Sequence, residues 1–132
     1  MDWTVPHINL VASWAGILLG IVSGMLLGLG FQRDNFLGGY GSLQRRLYRL
    51  GHISFFGLAI ISFLFWLTVT LVPLDGSTLV PASICFLVGA ATMPLCCFLT
   101  PHWAIARHLF AVPVLSLLYA AGATFLKLLT ES

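Results

Sequence analysis

The chain has 132 residues, of which 59% are hydrophobic and only 8% are charged, and its formal net charge is +2. A soluble domain needs polar side chains to cover its surface, and a mean hydropathy of +1.01 leaves too few of them here. The composition therefore excludes an ordinary soluble domain, and so small a basic excess gives no case for nucleic-acid binding. It favours an integral membrane protein.

Four long apolar runs without Asp, Glu, Lys or Arg divide the chain. Each run reaches or approaches the length of roughly 20 residues that a helix needs to cross a hydrocarbon core of about 30 Å. Such runs without alternating polarity are typical of helices, because a helix satisfies its own backbone hydrogen bonds in lipid. The sequence therefore predicts an all-α integral membrane protein whose four transmembrane helices cover residues 8–31, 51–72, 79–100 and 108–126.

The spans are predicted to form one four-helix domain over residues 1–132. The first run follows Met1 and Asp2 with no basic region and is longer than the core of a cleaved signal peptide, so we expect it to remain as a span. The connections between the runs are too short for a separate folded domain. We expect an up-down bundle of two hairpins.

Glycine recurs at every fourth position of the first run. In water each glycine would cost a helix roughly 1 kcal/mol relative to alanine. In lipid, small residues on one side of a helix let another backbone approach closely. The pattern predicts a helix-packing groove that takes either a neighbouring helix of the same bundle or a helix of another subunit or a second copy. Its glycines are Gly16, Gly20, Gly24 and Gly28.

Leucines and arginines recur at helical spacing in GSLQRRLYRLGH, just before the second run. After a flexible turn in FLGGYG, this pattern predicts a short helix in the membrane interface over residues 42–50, before the chain enters the bilayer at Gly51. Its arginines either fix the topology or bind anionic lipid or a partner. They are Arg45, Arg46 and Arg49.

Five of the six Lys and Arg residues fall in the two connections that follow the first and third runs. Short loops rich in Lys and Arg stay on the cytoplasmic side of a membrane. We therefore expect both termini on the outer side of a bacterial-type inner membrane or a plasma membrane.

His52 and His108 lie at the starts of the second and fourth runs, at similar predicted depth. Two imidazoles that face each other across a bundle can ligate a b-type haem, and Gly51 would let the macrocycle approach. In the other interpretation, both histidines lie in the interface and bond to water, headgroups or backbone. The first interpretation gives an electron-transfer protein with a bis-histidine haem near the cytoplasmic side.

Other side chains offer less chemistry. The three cysteines lie inside the third run without Cys-x-x-Cys spacing, so we expect no metal site and no structural disulfide. No span holds a charged residue at mid-depth, which argues against a charge-coupled pump, and no set of nucleophile, base and acid is present for hydrolysis. A permeation module would be lined by Ser62, Thr68, Thr92 and Ser116.

The sequence thus favours a non-catalytic membrane protein without a cofactor. We expect an assembly, accessory or lipid-interacting subunit of a larger membrane complex, which contacts the bilayer and either other membrane subunits or a second copy of the chain. The alternative is the haem-binding electron-transfer protein.

Overall fold

The structure, a computed structural model, describes residues 5–74 and 79–131. Its four α-helices are each long and apolar enough to cross a membrane, the fourth together with the 3₁₀ segment that precedes it. The prediction of an all-helical chain with four helices of this kind is confirmed. The helices are α1 (Val5–Gly30), α2 (Leu43–Leu71), α3 (Leu79–Leu99) and α4 (Ala111–Glu131).

Helices that follow each other along the chain pack against each other, and α1 also contacts α3. The contacts of α1 and α2 run in opposite order. Gly16 lies against Ala59, whereas Gly24, two turns further along α1, lies against His52, two turns earlier on α2. The two helices are therefore antiparallel neighbours.

The glycine edge of α1 faces α2 of the same chain over most of its length. A Cβ atom added at Gly16 would lie 3.0 Å from the Cβ of Ala59 and 3.2 Å from the carbonyl oxygen of Phe55. At Gly20 the nearest atoms would be those of the Phe56 ring, at 2.7 Å. A Cβ at Gly28, by contrast, would meet nothing within 4 Å. Glycine is thus needed for the close approach of α2, but not at the last position of the pattern.

The predicted break between a short helix over residues 42–50 and a span that starts at Gly51 is wrong. Helix α2 runs without interruption from Leu43 to Leu71. Gly51 is helical and buried, and a Cβ there would lie 2.9 Å from the Phe98 ring of α3. This glycine therefore allows close packing of α3 on α2 and is not a bend.

Two further contacts hold the helices together. An apolar cluster joins α2, α3 and α4. Asn9 and Ser83, both fully buried, form a hydrogen bond in which the Asn9 amide donates to the Ser83 hydroxyl. Interhelical hydrogen bonds of this type contribute about 0.6–2 kcal/mol in membrane proteins, so this one ties α1 to α3. The buried members of the apolar cluster are Phe65, Leu79, Ala82, Phe86 and Ala120.

The predicted fourth span, 108–126, begins in a 3₁₀ segment and continues in α4. Residues 108–110 belong to the 3₁₀ segment Ala104–Phe110, and the α-helix runs from Ala111 to Glu131. Pro113 consequently lies in the first turn of α4. The N–H groups of a first turn have no partner within an α-helix, so a proline there breaks no such bond.

A leucine at Gly16 is expected to separate α1 from α2. Because the nearest atoms are backbone and Cβ atoms that cannot rotate away, we expect Gly16→Leu to lower the free energy of unfolding by about 1–3 kcal/mol. Gly28→Leu, a matched change on the same helix, should alter it by about 0.5 kcal/mol or less. Unfolding of both variants in detergent micelles measures the difference. Equal losses would show that the glycine contact is not what matters.

Candidate functional site

The two basic connections of the chain meet at one end of the helices. The Tyr48 hydroxyl, near the start of α2, is hydrogen-bonded to the His102 ring, which follows α3, at 2.9 Å. The Phe98 ring packs edge-on against Tyr48, with ring centroids 5.2 Å apart. We call residues 31–50 and 100–110 together the basic end. It contains Arg33, Arg45, Arg46, Arg49 and Arg107.

The arginines of the basic end have no carboxylate partner among the residues that the structure describes. Asp34, the acidic residue within this end, is exposed. A guanidinium group without a carboxylate partner is solvated, packs on an aromatic ring or binds an external anion. Where each side chain points therefore decides which of the arginines can meet a ligand.

Arg45 is buried, although the next residue, Arg46, is exposed. The Arg45 side chain is only 7% exposed. The guanidinium carbon lies 4.5 Å from the centre of the Phe31 ring and 5.2 Å from that of Tyr40. Such cation–π contacts contribute about 0.5–2 kcal/mol each, depending on desolvation. Arg45 thus fastens the connection between α1 and α2 and is not available as a surface charge.

The connection turns through positive φ angles in FLGGYG, where the sequence predicts a turn. Leu37, Gly38 and Gly39 have φ angles of 52°, 79° and 89°, so three consecutive residues adopt left-handed backbone conformations. The Ser42 hydroxyl donates to the carbonyl of Leu37 and accepts a hydrogen bond from the backbone N–H of Arg45. Ser42 is therefore both the last anchor of the connection and the N-cap of α2.

Arg46 and Arg49 point away from the packed helices and are exposed. Together with Leu50 and Ile53 they line a shallow cleft of about 240 Å³ on the surface of α2. Their spacing of three, four and seven residues places all four on one side of the helix. We call these four residues the arginine stripe. The sequence suggested the arginines, but it gave no reason to separate them from Arg45 or to add the two apolar residues.

His52 faces α1. Its Nδ1 lies 3.0 Å from the hydroxyl oxygen of Ser23, and the two side chains form a hydrogen bond. The ring covers Gly24, where an added Cβ would be 2.6 Å from His52 Cε1, and it packs edge-on against Phe56. The imidazole therefore fills the space that the absent side chain of Gly24 leaves.

His108 lies in other surroundings. It is exposed, belongs to the segment Ala104–Phe110, which packs on α3 and α4, and its Nε2 is 3.4 Å from Nε of Arg107. The structure thus directs His52 towards α1 and does not bring the two rings together. The haem hypothesis stays a prediction, which an absorption spectrum of the purified protein tests.

Two of the four hydroxyl groups proposed to line a permeation path bond to their own helix. Thr68 donates to the carbonyl of Leu64 at 2.8 Å, and Thr92 donates to that of Val88 at 2.6 Å. Thr68 lines an apolar cleft of about 250 Å³ between α2 and α4, whereas Ser62, Thr92 and Ser116 are not part of its wall.

Replacement of Arg45 is expected to destabilise the chain more than replacement of its neighbour. Arg45→Gln removes the cation that packs against Phe31 and Tyr40, so we expect the free energy of unfolding to fall by about 1–2 kcal/mol. Arg46→Gln removes the same charge from an exposed position and should cost about 0.5 kcal/mol or less. Thermal unfolding in detergent compares the two. If Arg46→Gln proves the more damaging, the assignment of Arg45 as the anchor is wrong.

Neither a metal site nor a similarity to known proteins assigns a function to the basic end. Within the part of the chain that the structure describes, no three His, Cys, Asp or Glu side chains are grouped as a metal site would require. No family model, curated protein or solved structure matches the chain. What the basic end can bind therefore follows from its own side chains.

Proposed function

We propose that this chain is a non-catalytic multi-pass membrane protein, a lipid-interacting accessory subunit of a larger membrane complex. Its basic end lies at the cytoplasmic surface of a bacterial-type inner membrane or a plasma membrane. The helices form an up-down bundle, and both termini lie on the outer side. The observation that carries this proposal is the gathering of five of the six basic residues at one end, without carboxylate partners among the described residues.

Electrostatics favours an anionic surface as the partner of this end. The cytoplasmic leaflet carries negative lipids, and each Lys or Arg near it gains about 1 kcal/mol. The same residues also set the orientation during insertion, because basic loops are retained on the cytoplasmic side. The arginines therefore serve topology and lipid contact at once, and these two roles do not exclude each other.

The outward faces of α1 and α4 suit a subunit embedded in lipid and in contact with other spans. Helix α4 packs mainly against α3, and much of its apolar surface points outwards. Trp14 on α1 and Leu118 on α4 are 66% and 68% exposed. In lipid such side chains need no protein partner. Isolation of the protein in mild detergent distinguishes three neighbours of these faces: lipid alone, another subunit, or a second copy of the chain.

The orientation can be tested by labelling single introduced cysteines in intact bacterial cells. Asp75→Cys, in the connection between α2 and α3, should react with a membrane-impermeant maleimide. Asn35→Cys, in the connection between α1 and α2, should react only after the cells are opened. The unsubstituted chain, whose three cysteines lie in α3, gives the background. The opposite pattern would place the basic end outside and refute the proposal.

A further inference from the structure

We infer that Arg46 and Arg49 hold the phosphate of one anionic phospholipid, whose acyl chain lies along Leu50 and Ile53. This inference rests on the proposed function, because it requires the basic end to lie at a membrane surface. It goes further in one respect. A general attraction between arginines and a negative leaflet needs no particular geometry, whereas a bound lipid needs charged and apolar groups in register.

The arginine stripe supplies that register. Its four residues lie on one side of α2 and line a common cleft. Ile53 follows Arg49 by four residues, which corresponds to about 6 Å along the helix axis at 1.5 Å per residue. Leu50 and Ile53 are 47% and 58% exposed, so the apolar half of the cleft is open to the bilayer. Along α2, the two arginines thus precede the two apolar side chains that can contact an acyl chain.

The charge on the stripe calls for an anion from outside the chain. Neither Arg46 nor Arg49 pairs with a carboxylate of the described residues. Guanidinium groups match phosphate oxygens in shape and form charge-assisted hydrogen bonds with them. Arg45 does not compete for the same phosphate, because it is buried against Phe31 and Tyr40.

The apolar half of the stripe favours a phospholipid over a free phosphate. Inorganic phosphate would contact only the arginine half of the stripe, whereas a phospholipid would also contact Leu50 and Ile53 through its own acyl chain. A zwitterionic headgroup carries its own ammonium group, which repels the two guanidinium groups. The ligand class is therefore a phospholipid with a net negative headgroup.

Native mass spectrometry of the delipidated full chain in detergent tests the site, with phosphatidylglycerol and phosphatidylcholine as probes. The wild type should retain one phosphatidylglycerol in preference to phosphatidylcholine. The double variant Arg46→Gln, Arg49→Gln should bind it about tenfold or more weakly. The matched control Arg33→Gln, Arg107→Gln removes the same charge from exposed positions outside the stripe. We expect its affinity for phosphatidylglycerol to fall less than about threefold.

Three further results complete the test. The double variant Arg46→Lys, Arg49→Lys keeps the charge but loses the planar fork, so it should bind with intermediate affinity. Excess inorganic phosphate should not displace the bound lipid, and displacement would overturn the role of the acyl chain. Equal losses in the two glutamine double variants would overturn the site but leave a lipid-interacting function intact. If the wild type shows no preference for phosphatidylglycerol, both proposals fail.

Discussion

The close contact between α1 and α2 is the constraint on which the rest of the basic end depends. At Gly16 the absence of a side chain lets α1 approach the backbone of α2, and at Gly20 and Gly24 the rings of Phe56 and His52 fill the space that a side chain would take. The connection that joins these two helices begins with Phe31, whose ring contacts Arg45 in the first turn of α2. The rings of Phe31 and Tyr40 in this connection thus bury Arg45 and leave Arg46 exposed.

The sequence was sufficient for the features that local composition determines. Long apolar runs predict four spans, and α2 begins directly after Ser42, the residue that caps it. It was insufficient where the deciding contact is distant. Gly51 resembles a break until Phe98 of α3 is seen to pack on it. Arg45 and Arg46 are adjacent residues of the same type, and only the aromatic rings of the preceding connection distinguish them.

The division of the arginines gives the basic end two physical roles. A buried cation between aromatic rings stabilises the connection regardless of the lipid that surrounds the protein. We expect the exposed cations of the arginine stripe to respond to lipid, since their stabilisation would depend on an external anion and weaken with salt. The contacts of His52 with Ser23 and Gly24 likewise stabilise the structure, because they hold α1 against α2. Function is therefore expected at Arg46 and Arg49.

Solid-state NMR of the chain in bilayers that contain phosphatidylglycerol tests this division most directly. Dipolar coupling between arginine ¹⁵N nuclei and lipid ³¹P reports guanidinium nitrogens that are hydrogen-bonded to phosphate, at N–P distances of about 4 Å. The account predicts strong coupling for Arg46 and Arg49 and none for Arg45, with assignments from single Arg→Gln variants. Strong coupling at Arg45, with none at Arg46 and Arg49, would contradict it.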